Sequence, residues 1–167
     1  SYRNDTQVIG TVLSHDKVHE PDVLAITGAS AALMISEAPW AGPVAGVRVA
    51  RVQGKFVAFP SWEQMKVADI LLVVAVSRDA IVMVEGGAEQ ALEADMIDAL
   101  MFAKEAAAPL IAMQDRLRER AGKPKRVHVE ATVDTAFRDA VMAAAEADLN
   151  QAFAIVAKAE RRNAIDA

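Results

Sequence analysis

The 167-residue sequence has no cysteine, one tyrosine and three histidines. No disulfide, thiolate nucleophile or zinc–thiolate site can therefore form, and the absence fits a reducing cytoplasm. No apolar run reaches the roughly 18 residues that span a bilayer, so no membrane partner is expected. The opening residues, Ser1-Tyr2-Arg3-Asn4-Asp5, are polar and do not read as a secretory leader. They stop abruptly before a strand pattern, which reads as an internal cut in a longer protein. Positive charge is not in excess: 18 Lys and Arg against 23 Asp and Glu give a net charge of −5. That balance argues against a free-standing nucleic-acid binder but leaves room for a local basic patch. Internal repeats, low-complexity tracts, Walker motifs and Ser-His-Asp signatures are also lacking.

What is present is a core. Hydrophobic residues make up 53% of the chain, enough for one folded domain with something added. Thr6 to Leu13 is rich in β-branched residues and predicts a strand. Pro21 and Asp22 open a helix predicted to run to about Ile35. Gly28 inside it implies close packing, as do the small residues Ala29, Ser30, Ala31 and Ala32. Val44 to Val52 and Lys55 to Phe59 form a hairpin about Gln53-Gly54. Ser61 caps a short helix holding Trp62 and Met65. Ile70 to Val76 is almost wholly apolar, as in a strand covered on both faces. It turns at Arg78-Asp79 into Ala80 to Val84, which Gly86-Gly87 should end.

From about Glu89 a long helix is predicted toward Arg120. Its buried face would hold Leu92, Met96, Leu100, Ala103, Ala107, Leu110, Met113 and Leu117. Pro109 predicts a kink or break near Ala108. Gly122-Lys123-Pro124 stops the helix and sets a domain boundary. Beyond it, Thr132 or Asp134 caps a helix to about Ala147, and a second helix runs from about Leu149 to Ile165. The pattern is α+β with an all-α appendage.

Several constellations invite a chemical reading, each with a structural counterpart. Asp69 and Asp79 are a vestigial metal pair or simple turn residues. Glu85, Glu89, Glu93 and Asp95 are a carboxylate cluster or solvated charges at a helix N-terminus. His15, His19 and His128 are too scattered for a metal motif. Arg48 sits mid-strand, sharing a face with Gly46 and Ala50. It needs an acid within the fold, a neighbouring chain or RNA as partner. Arg51 and Arg78 read as strand-end charges. Arg116, Arg118, Arg120, Lys123, Lys125 and Arg126 make a basic run. It suits a helix C-terminus and a solvated linker, or a phosphate or subunit contact. Arg48, Lys123, Lys125 and Arg126 are the RNA-binding candidates. Trp40 and Trp62 are packing residues or base-stacking platforms.

The motifs taken in order resemble a known family. Arg3-Asn4-Asp5-Thr6-Gln7-Val8, then Gly28-Ala29-Ser30-Ala31-Ala32-Leu33, then Pro39-Trp40-Ala41-Gly42-Pro43 before the strand, are similar to the first of the two ribonuclease-PH-like core domains of bacterial polynucleotide phosphorylases. The resemblance covers residues 3 to about 87, with the long helix closing the domain. From about Lys123 it turns to the helical domain that links the two cores. It therefore implies a partial core domain over 1–121 and part of the helical linker over 122–167. The implied fold is a ribonuclease-PH-like mixed or antiparallel sheet with helices on its faces, followed by an all-α segment.

The family implies a cytoplasmic homotrimeric ring around an RNA channel. It also implies magnesium-dependent degradation of RNA from the 3′ end by inorganic phosphate, releasing nucleoside diphosphates. In the catalytic copy of the core, the strand before the second hairpin carries an Asp and, two residues on, a Lys. A register matched on Val74-Ala75 puts Leu71 and Val73 there, which can neither bind metal nor stabilise a phosphoryl oxygen. The catalytic copy opens its helix with serines that cradle phosphate; here Glu20-Pro21-Asp22 stands in their place. The resemblance thus implies no catalytic, phosphate-binding or metal residue in this segment, no magnesium of its own, and a role as scaffold, trimer contact and channel wall. Another fragment of the same protein, or self-association, would cover its open sheet edges. The other reading is a stand-alone oligomerisation or RNA-docking module without enzymatic activity. A relative acting on guanosine nucleotides would share the same core.

Overall fold

A computed structural model describes residues 4–129 and 134–166. They belong to two compact units, Ser1–His128 and Val129–Ala167. The first is built around a four-stranded antiparallel sheet in the order β2-β1-β3-β4. Its elements are α1 (Asp22–Ile35), β1 (Val44–Val52), β2 (Lys55–Ala58), α2 (Trp62–Lys66), β3 (Ile70–Ser77), β4 (Ile81–Ala88) and α3 (Glu93–Ala121).

Helix α1 explains how the start of β1 is protected. The strand β2 reaches only Val49 to Val52 of β1. Further back, Val44 N donates to Ser30 Oγ at 2.8 Å and Gly46 N to Thr27 Oγ1 at 3.0 Å. The two hydroxyls replace a missing strand and satisfy backbone groups that would otherwise be buried unpaired. Such an approach needs a bare backbone at Gly46, where a Cβ would lie 2.8 Å from Val23 O and 3.0 Å from Ile26 Cβ. The buried side of α1 is Val23, Thr27, Ser30 and Met34. The expected close packing at Gly28 is not found: Gly28 and Ala32 are exposed, and a Cβ on Gly28 would meet nothing within 4 Å.

Other expectations change for identifiable reasons. Thr6 to Leu13 joins no sheet among the described residues, and Ile9, Val12 and Leu13 are exposed. Its residues have strand propensity, but no strand pairs with them. Strand β4 does not end at Gly86-Gly87. Gly86 takes φ +150° and pairs with Leu72, Gly87 pairs with Leu71, and the strand reaches Ala88. A side chain on Gly86 would run into the Leu71 carbonyl, so here the glycine permits the ladder. Strand β3 buries Ile70, Leu72, Val74 and Val76 fully, but Leu71 and Val73 on its other face are only half-buried.

Helix α3 begins at Glu93 and runs unbroken through Pro109. Its buried stripe is Ala99, Ala103, Ala107, Ile111 and Gln114, rotated from the expected one; Leu92 and Met113 are exposed. Small alanines let the helix lie against Ala45, Val47, Val49, Ile70, Leu72, Val74 and Val76. The unit extends past the boundary read at 121/122. Lys123 N bonds Ile35 O, Arg126 N bonds Glu37 O, and Lys125 Nζ bonds Leu33 O and Ser36 O at 2.6 and 2.8 Å. These bonds tie the segment after α3 to the end of α1.

The second unit contains α4 (Thr135–Phe153) and α5 (Lys158–Asp166). Asp134 caps α4 by accepting from Phe137 N at 3.0 Å, whereas Thr132 lies outside the described residues. The break falls at residues 154–157, not near 148, so α4 is longer and α5 shorter than expected.

Candidate functional site

The alternation of β-strands puts one row of side chains on the face away from the α3 core. In register across β1, β3 and β4 lie Arg48, Val73 and Glu85; beside them, Gly46, Ala75 and Met83; and then Ala50, Leu71 and Gly87. This face is an open cleft of about 640 Å³, with Asp22 and Ile26 of α1 forming one wall. Its floor is apolar, made by Leu71, Val73 and Met83. Its charged lining is Asp22, Asp69, Glu85 and Glu89 against one cation, Arg48.

Arg48 bonds Asp22 at the start of α1, a pair that ties helix to strand. A second apolar hollow, about 310 Å³, lies on the other side of Arg48 and is lined by Glu20, Leu24, Phe59 and Pro60 among others. The structure therefore gathers Leu71, Val73 and Asp22 at one cleft, with Glu20 in the adjoining hollow. Two stretches about fifty residues apart in sequence meet around one arginine.

At the start of α1, Pro21 has no N–H to offer an anion, and the neighbouring Glu20 and Asp22 add two carboxylates. The side chains of Leu71 and Val73 carry no oxygen ligand, and no group of three potential metal ligands occurs among the described residues. Asp69 is occupied elsewhere. Arg51 binds it through Nε at 2.9 Å and NH2 at 2.7 Å, and binds Asp95 of α3 through NH1 at 2.8 Å. Hydrogen bonds from Arg51 hold both carboxyls below the usual range, and the two acids raise the Arg51 guanidinium. Asp79 presents its backbone oxygen to Lys104 Nζ at 3.3 Å. Of Asp69 and Asp79, the first thus belongs to an ion cluster with Arg51 and Asp95, and the second is a turn residue.

The other candidates are placed as follows. Arg126 pairs with Glu37, whose carboxyl it holds below the usual range. Lys125 caps the carbonyl end of α1, and burial lowers its amine. Lys123 is exposed. Arg78 binds Asp115 at 2.8 Å. Trp62 is partly exposed and tilts over His15 with ring centres 5.8 Å apart, while Trp40 is half-buried. His15 and His19 serve the turn before α1: His15 Nε2 meets His19 O at 2.8 Å, and His19 Nδ1 meets Asp16 Oδ2 at 2.7 Å. Sequence reading missed the hydroxyl pair Thr27 and Ser30, the Arg51 cluster, and the buried amide of Gln114, which donates to Val44 O at 3.0 Å. The only sequence signal for the first was two hydroxyls three apart on an otherwise apolar helix.

The fold and the cleft define a ribonuclease-PH-like α+β domain without acidic metal ligands on its central strand. Residues 42–106 match the family described as 3′ exoribonuclease family, domain 2. Across nearly its whole length the chain is similar to proteins named polyribonucleotide nucleotidyltransferase. It is 52% identical over 160 residues to that of Sorangium cellulosum, covering 96% of this chain and 21% of the relative. It is 48% identical over 165 residues to that of Geobacter sulfurreducens and 45% over 166 residues to that of Geotalea daltonii, covering 99% of this chain and 24% of each relative. The chain thus spans between about a fifth and a quarter of the length of these curated relatives. No described helix is long and apolar enough to cross a membrane.

Proposed function

We propose that this chain is the non-catalytic core segment of a polynucleotide phosphorylase. The parent protein would degrade RNA from its 3′ end with inorganic phosphate and magnesium, releasing nucleoside diphosphates. It would act as a cytoplasmic homotrimer, with its chemistry on residues outside this chain. The supporting observation is the cleft floor: Leu71 and Val73 occupy adjacent outward positions of β3, beside Arg48, which is already paired with Asp22. Aliphatic groups there neither ligate a cation nor stabilise a developing oxyanion. Ion pairs at Arg48, Lys125's bonds to carbonyls and the Arg126–Glu37 pair favour structural roles for three of the four RNA candidates, leaving Lys123 as the available phosphate contact.

The test has two arms. The 167-residue chain, incubated with single-stranded RNA, phosphate and magnesium, should release no nucleoside diphosphate. A protein carrying this segment joined to the remaining domains should release it in a phosphate-dependent way. Diphosphate release that follows the purified chain alone would overturn the non-catalytic assignment. Absence of release from the longer protein would overturn the parent assignment.

A further inference from the structure

We propose that the cleft over Leu71, Val73 and Met83 is a docking groove for a cationic polypeptide segment that inserts an apolar side chain. This inference goes beyond the catalytic reading and does not depend on it. The first observation is an uncovered apolar floor. Strand β3 reads Ile-Leu-Leu-Val-Val-Ala-Val, a composition suited to burial on both faces. One face is sealed against α3, with Ile70, Leu72, Val74 and Val76 no more than 2% exposed. On the other, Leu71 and Val73 are half-buried and Met83 is 38% exposed. Gly87 lies beside Leu71 in register, so no side chain from β4 covers it.

The second observation is charge. Four carboxylates and one guanidinium line the groove. Asp22 is engaged by Arg48, and Asp69 by Arg51. The carboxylates of Glu85, in register with Val73, and of Glu89, just past the end of β4, have no hydrogen-bonding or ion-pairing partner among the described residues. Free carboxylates at the rim of an apolar floor complement arginine or lysine flanking a leucine-sized anchor. They repel RNA phosphates. A volume of about 640 Å³ accommodates a few residues, so the contact belongs to the small, transient class.

The experiment measures fluorescence anisotropy of a labelled hexapeptide of alternating arginine and leucine against the full chain. Saturable binding is expected. Peptides of alternating glutamate and leucine, or arginine and glycine, should bind at least about tenfold more weakly, because each lacks one half of the complement. Glu85→Gln should weaken binding severalfold and Val73→Lys more strongly. Glu105→Gln, on the exposed side of α3, should leave it unchanged. In the unmodified chain, the Met83 methyl resonance should shift with the same saturation curve, which locates the site without any variant. Equal binding of the glutamate peptide, an unmoved Met83 signal, or displacement of the peptide by an RNA oligonucleotide would each overturn the proposal.

Discussion

Gly46→Ala tests the contact on which the α1–β1 junction rests. A methyl group there would sit 2.8 Å from Val23 O and 3.0 Å from Ile26 Cβ, whereas ordinary contacts begin near 3.4 Å. The obstruction is a backbone oxygen inside a helix, so no side-chain rotation relieves it. Helix α1 must back away by several tenths of an ångström. Doing so strains the Thr27–Gly46 and Ser30–Val44 hydrogen bonds, now 3.0 and 2.8 Å. Overpacking of this kind costs about 1–3 kcal/mol, and weakening the bonds adds about 1 kcal/mol. A combined loss of about 2–4 kcal/mol should lower the Tm by roughly 5–15 °C in a unit of this size. Gly28→Ala is the matched control. It stands in open space on the same helix, so alanine should raise stability by about 0.5–1 kcal/mol through helix propensity alone. Tryptophan fluorescence is the appropriate probe, because both Trp40 and Trp62 lie in the first unit and report its melting alone. If Gly46→Ala melted with the unmodified chain, or Gly28→Ala melted lower, the close approach would be at the wrong glycine and the account of α1 would fail.

Three further outcomes follow from the same contacts. Ser30→Ala should cost about 1–2 kcal/mol in urea unfolding, because it removes the acceptor for Val44 N from a site only 3% exposed; an unchanged midpoint would refute that role. Lys125→Met should destabilise by about 1–2 kcal/mol, since it leaves the Leu33 and Ser36 carbonyls without their cationic donor; equal stability of lysine and methionine would show the bonds to be incidental. The Arg51 cluster sets an acid dependence: Asp69 and Asp95 have folded values below the ordinary 3.8, so their contribution is complete above that value and is lost as pH falls through the lower folded values. Melting curves of the unmodified chain should therefore fall more steeply below about pH 4 than those of Arg51→Met, and parallel curves would exclude the cluster as the cause.

What could be read from the sequence was whatever local chemistry decides alone. The hairpin at Gln53-Gly54, the Ser61 cap and the stop at Gly122 stand where the residues indicate, because turn and cap preferences act over three or four positions. What failed depended on a partner that sequence cannot supply. Thr6 to Leu13 has the composition of a strand, yet β1 meets the hydroxyls of α1 at the edge left uncovered by β2, and no strand among the described residues pairs with the segment. The α3 stripe was misread because leucine and methionine were weighted over alanine. Close helix–sheet packing keeps the expected Ala103 and Ala107, adds Ala99, and turns Leu92 and Met113 outward.

The candidate site divides in the same way. Leu71, Val73, Glu20 and Asp22 could be named one by one from their positions, but only the fold brings them around Arg48. Their convergence changes the meaning of each. Separately, the resemblance would make them replacements of a ligand, a phosphate donor or a hydroxyl. Together, they line a surface that is apolar at its floor and negative at its rim. Nothing in β3 read alone distinguishes a strand that lost its chemistry from one selected for a new contact. On the docking proposal Glu85, opposite Val73 in register, is the residue that separates the two, since its carboxylate has no partner among the described residues and stands beside an aliphatic floor.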